Sequence, residues 1–174
     1  MTNQDLNKTI VLENNKLKDK VWHLYRQYAS YYGKKMNYKK AILNYSLALK
    51  IKREAGTYLN ISWYCLLDKQ YKKAITYGEE GLKLAKNNKN KMWLYTNIAH
   101  GYLLNNEYNK ALNIYTRYKG KKIYENSNKL WNDIIIEDIK YLKEGNITSP
   151  YFNVIEKIMK DKNSTTNYTY KNDR

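Results

Sequence analysis

The chain has 174 residues, enough for one domain with a real core, and carries 32 Lys and Arg against 16 Asp and Glu, a net charge of +16. One proline and seven glycines leave few helix breakers, and the apolar residues fall at helical rather than alternating spacing, which points to an all-helical protein. The lone cysteine, Cys65, excludes an intrachain disulfide, and no stretch nears the roughly 20 apolar residues of a membrane span.

A single thiol fits a reducing, cytoplasmic compartment. The opening Met1-Thr2-Asn3-Gln4-Asp5 lacks a basic region followed by an apolar run, so no secretory signal is expected. The positive charge calls for an acidic partner, whether nucleic acid, anionic membrane or an acidic protein segment. The competing explanation is compositional: Lys, Asn, Ile and Tyr together are what an AT-rich genome tends to encode.

Residues 1–15 read as an N-terminal segment, partly helical around Leu6, Ile10 and Val11. From 16 to 122 a short motif recurs: Tyr38-Lys39-Lys40-Ala41-Ile42, Tyr71-Lys72-Lys73-Ala74-Ile75 and Tyr108-Asn109-Lys110-Ala111-Leu112. Ala74 follows Ala41 by 33 residues and Ala111 follows Ala74 by 37. A fixed period of about 20–50 residues is the mark of a stacked repeat protein. The spacing predicts three helical hairpins, at about 22–53, 55–88 and 92–119. In the first, Leu24, Tyr25, Tyr28, Ala29 and Tyr32 share one face, Gly33 and Asn37 suit the turn, and Tyr38, Ala41, Ile42, Tyr45, Ala48 and Leu49 share the facing stripe. The second repeats this with Tyr58, Ile61, Ser62 and Cys65, then Tyr71, Ala74, Ile75, Gly78 and Gly81; the third with Tyr95, Ile98, Ala99 and Tyr102, then Tyr108, Ala111, Leu112 and Tyr115. Lys52–Gly56 and the longer Asn87–Lys91 read as linkers, the second accounting for the stretched period. Ala29, Ser62 and Ala99, with Ala41, Ala74 and Ala111, are small where two helix backbones should approach closely.

This alternation resembles the tetratricopeptide repeat, a helix pair of about 34 residues, over residues 22 to about 118. The resemblance implies a short right-handed α-solenoid of three helix pairs. Two positions depart from the pattern: Gly78 replaces an aromatic, and Tyr118 stands where Ala48 and Gly81 stand earlier, so the third unit is expected to pack on something different. Residues 123–161 read as capping helices that supply it. One spans 127–144 with Leu130, Trp131, Ile134, Ile135, Asp138 and Leu142, ended by Gly145-Asn146; the next opens at Ser149-Pro150 and carries Phe152, Ile155, Ile158 and Met159. The stretch from Asn97 to Pro150 also resembles, more loosely, the C-terminal end of a set of bacterial tetratricopeptide proteins. Residues 162–174 are polar and expected to be disordered.

Enzyme motifs do not emerge. No glycine-rich phosphate loop is present, His23 and His100 stand in no metal spacing with Cys65, and Cys65 on an apolar face reads as a small core residue. No cofactor is expected. Asp133 and Glu137, four apart, could form an acid/base pair but read as a solvated face paired with lysines. Asp138, among apolar neighbours, is expected to bond a lysine or a backbone group.

The resemblance implies that the first helix of each pair lines a concave groove for a partner. Carried over by position, the groove residues are Arg26, Asn60, Trp63, Trp93, Asn97 and His100. Trp and Arg are the residue types that dominate interface energetics. A carboxylate clamp is only partly matched, since Ser30, Trp93 and Asn97 stand where Asn, Lys and Arg are expected. The leading expectation is thus a non-enzymatic scaffold for a protein or extended peptide. The alternative is nucleic-acid binding through a basic ridge of Lys39, Lys40, Lys72, Lys73 and Lys110, with 20 tyrosines available for stacking.

Overall fold

A computed structural model describes residues 3–161; the polar stretch 162–174 lies outside the described residues. These fold into eight helices: α1 (Asn3–Lys34), α2 (Tyr38–Ile51), α3 (Ala55–Leu67), α4 (Tyr71–Leu84), α5 (Asn88–Leu104), α6 (Tyr108–Tyr118), α7 (Trp131–Glu144) and α8 (Phe152–Lys160). Among the described residues no strand forms; an isolated bridge joins Lys122 and Leu130. Consecutive helices pack on one another from α1 to α6, α7 packs on α8, and α3 also lies directly against α5.

The second helix of each hairpin begins at the tyrosine of the recurring motif: Tyr38, Tyr71 and Tyr108. The turn before it is the same each time. Met36, Lys69 and Asn106 adopt left-handed backbone, with φ of 55°, 58° and 62°. The amide of the next residue reaches back five positions, from Asn37 to the Tyr32 carbonyl, Gln70 to Cys65 and Glu107 to Tyr102, while the left-handed residue bonds three back. This is the Schellman closure of a helix C-terminus. A fourth copy ends α7, where Asn146 has φ 56° and Ile147 donates to the Leu142 carbonyl.

Several boundaries differ from the sequence reading. No separate N-terminal segment exists: α1 runs unbroken for 32 residues, because nothing between Asn3 and Lys34 breaks a helix. Its buried face is Trp22, Ala29 and Gly33, so Leu24 and Tyr28 turn outward. Gly33 serves packing rather than the turn; a Cβ there would overlap the Tyr64 ring. The stretched period does not come from a longer linker. Three residues join α2 to α3 and three join α4 to α5, whereas α5 has 17 residues and α3 has 13. The four extra residues are one added turn of helix at the start of α5. The capping helix starts at Trp131 rather than 127, with the Asp133 carboxylate accepting from the Leu130 amide.

Close backbone approach holds each pair together. Ala29, Ala41, Ser62, Ala74, Ala99 and Ala111 are fully buried, and the Ser62 hydroxyl donates to the Ala74 carbonyl at 2.7 Å. At Gly78, where units one and three have buried Tyr45 and Tyr115, Ile98 of α5 fills the space; an added Cβ would stand 2.5 Å from Ile98 Cγ1. Tyr118 is tolerated at the small position because it stacks on Tyr95, 4.4 Å between ring centres, and meets the edge of Trp131 at 5.7 Å.

Two consequences are measurable by urea unfolding. Gly78→Ala should destabilise the fold by about 1–2 kcal/mol, overpacking outweighing the helix propensity gained. Lys69→Gly should stabilise it by about 0.5–1 kcal/mol, because a left-handed backbone costs a side-chain-bearing residue more than glycine loses in entropy.

Candidate functional site

The helix α7 crosses the face that the first helices present. The Trp131 indole donates to the Thr96 hydroxyl of α5 at 2.7 Å, and its ring lies 5.9 Å from that of Tyr115. One turn pair further, an Asp138 carboxylate oxygen stands 3.5 Å from His100 Nε2. Tyr141 then packs on Trp63 of α3 at 5.9 Å and hydrogen-bonds Tyr38 at the start of α2. Trp131, Asp138 and Tyr141 are seven and three residues apart, so they share one stripe of α7.

Two of the six predicted groove residues are therefore corrected. Asn97 is buried and donates its side-chain amide to the Leu59 carbonyl at 3.0 Å, which ties α5 to α3. His100 is fully buried under α7, its Nδ1 2.8 Å from the Tyr115 hydroxyl. Burial, then the Asp138 charge, push the Tyr115 hydroxyl far above its usual range, so it stays protonated and donates toward the imidazole. His100 Nε2 has no hydrogen-bond partner, the Asp138 oxygen being beyond bonding distance. The reason for both corrections is the same: the C-terminal helices occupy the α5 end of this face.

The other four are partly open. Arg26 pairs with Glu54 at 3.3 Å and lies 4.5 Å from the Trp22 ring centre; Lys52 covers the same ring at 4.6 Å. Asn60 is half-buried on α3. Trp63 and Trp93 are half-buried, both packed against the main core. Tyr141, which the sequence reading missed, adds an exposed ring beside Trp63. Its stripe with Trp131 and Asp138 was the available signal: a helix face mixing aromatic and acidic residues needs a polar counterpart, here Thr96 and His100.

All five lysines of the predicted ridge are exposed. Lys110 bonds Glu107 at 2.7 Å and lies over the Tyr102 ring at 5.1 Å; Lys40 lies over the Tyr32 ring at 5.2 Å. The Glu107 carboxyl is held below its usual range by Lys110, then by Asn105 and Lys72, which puts an acid between the α4 and α6 lysines. The paired carboxylates have structural partners: Glu137 takes Lys129 at 2.7 and 2.9 Å, and Asp133 caps α7. Among the described residues no cluster of three His, Cys, Asp or Glu could hold a metal ion, and no helix is long and apolar enough to cross a membrane. Comparison of the chain with protein-family models, curated proteins and solved structures returns no match.

Burial pushes the Cys65 thiol up to about 12, so at pH 8 only about one molecule in ten thousand carries the reactive thiolate. A disulfide-exchange reagent should label Cys65 at least about a hundredfold more slowly in native buffer than in denaturing urea; stoichiometric native labelling within minutes would contradict the burial.

Proposed function

We propose that this chain is a non-enzymatic, cytoplasmic scaffold of the tetratricopeptide type that binds a protein or an extended peptide on the face of its first helices. The observation that carries this reading is the surface left beside α7. Two half-buried tryptophans, Trp63 and Trp93, stand on adjacent helices α3 and α5, with Arg26 on α1. Partly buried Trp with Arg gives large contact area at small entropic cost, the composition of an interface centre. Asn60 offers an amide that can both donate to and accept from the backbone of an extended segment. The C-terminal helices narrow the site to its α1–α3 end.

The runner-up, nucleic-acid binding, is favoured by the exposed lysines at the starts of α2, α4 and α6. Against it, Glu107 engages Lys110 and Lys72, and several tyrosines that could stack on bases are buried or spent in ring contacts within the fold. A basic surface of this kind binds polyanions with a steep salt dependence and little selectivity.

Capture from native cytoplasm at moderate salt, with and without nuclease, separates the two. A nuclease-resistant protein partner should be retained, and the double variant Trp63→Ala with Trp93→Ala should weaken its binding at least about tenfold while circular dichroism shows an intact helical fold. Loss of all captured material on nuclease treatment, together with sensitivity to replacing Lys39, Lys40, Lys72 and Lys73 by Ser, would replace the scaffold reading with the nucleic-acid one.

A further inference from the structure

The first half of α1 has no partner within the chain. Every residue from Asn7 to Lys20 is exposed, yet the helix continues through them without a break. An isolated helix of this length is marginal in water and needs a packed face. Along one side, Ile10, Asn14, Leu17, Val21, Leu24 and Tyr28 alternate at spacings of four and three residues, the seam of a coiled coil. Leu17 is 60% exposed, Tyr28 49% and Leu24 48%. The stripe lies away from Trp22, Ala29 and Gly33, which face the body of the protein.

We infer that this stripe joins two copies of the chain in a parallel, in-register helix pair. The seam is self-complementary. In register, Asn14 meets Asn14, which satisfies both amides and penalises slipped alignments, and Leu17 and Leu24 meet their equivalents at the positions where leucine favours two strands. Glu13 and Lys18 flank the seam five residues apart, the separation at which each copy's acid faces the other copy's lysine in a parallel pair. Charge selects a second copy over an anionic lipid surface or a nucleic acid. The segment 3–20 holds Lys8, Lys16, Lys18 and Lys20 against Asp5, Glu13 and Asp19, a net +1, in a chain of net +16. Almost none of the excess charge sits on this segment, so two copies meet there with little repulsion.

Sedimentation equilibrium of the full chain tests this. The 20.9 kDa polypeptide should form a dimer, and Leu17→Glu, at an exposed position, should raise the dissociation constant at least about tenfold without changing the circular-dichroism spectrum of the folded body. Glu13→Lys should weaken the dimer, and adding Lys18→Glu should restore it. Asn14→Cys should cross-link under mild oxidation, since the buried Cys65 does not compete. A chain that stays monomeric at every concentration, or a dimer indifferent to Leu17→Glu, overturns the inference. A Leu17-dependent dimer in which Asn14→Cys fails to cross-link overturns the parallel alignment. Binding of the monomer to anionic vesicles with no self-association overturns the choice of a second copy.

Discussion

The close approach of two helix backbones within each hairpin is the constraint from which the rest follows. It is possible only where side chains nearly vanish, and Ala29, Ala41, Ser62, Ala74, Ala99 and Ala111 meet that demand in every unit. With so little side chain between them, the backbones set the spacing and crossing geometry, and neighbouring residues have few ways to vary it. Ser62 adds a hydroxyl to this dry contact at no net polar cost, because the Ala74 carbonyl accepts its proton. The identical Schellman turns follow from the same geometry: a fixed pair of helices leaves one short path between them. That path is held even where Met36 and Lys69 take a left-handed backbone that glycine would adopt more cheaply.

Large side chains then fill what the small ones leave. Tyr45 stacks on Tyr64, Ile98 occupies the space above Gly78, and Tyr115 reaches His100 and Trp131. The sequence departs from its own repeat only where the neighbour changes. No fourth hairpin follows α6, so Tyr118 stands free of the crowding that keeps Ala48 and Gly81 small, and α7 approaches with Trp131 to cover it. Having started there, α7 runs across α5 toward α3, and its polar groups are matched to that course: the indole to Thr96, Asp138 toward His100, the Tyr141 ring onto Trp63.

The hairpins were legible because packing at a fixed period writes the same residue sizes at the same positions. The starts of α2, α4 and α6 were readable from tyrosine and alanine alone, as was the need for the third unit to pack on something new. What escaped reading depends on relations between distant segments. Nothing near Asn97 or His100 announces that residues 131–141 will cover them, so a position rule made them accessible when both are buried. The added turn of α5 was taken for a linker because Asn87–Lys91 is polar, and polarity marks exposure rather than the end of a helix; Asn87 instead caps α5 by accepting from the Asn90 amide. The outward turn of Leu24 and Tyr28 escaped because a helical stripe says that a face is apolar and leaves open what covers it.

The positive charge bears on where a partner can sit. Glu54, Glu80, Glu107, Glu137 and Glu156 are all drawn into pairs with Lys or Arg of the same chain, so the chain's own acids are engaged and the surplus lysines face solvent. Such pairs contribute little individually, and their main effect is to localise the remaining positive potential. The aromatic surface around Trp63, Tyr141 and Trp93 therefore lies within a net positive field, with Arg26 at its edge already half-neutralised by Glu54. A partner with an acidic flank would be drawn in at long range by the lysines and held at short range by the aromatic rings, so charge governs its arrival and desolvation of the tryptophans governs its residence.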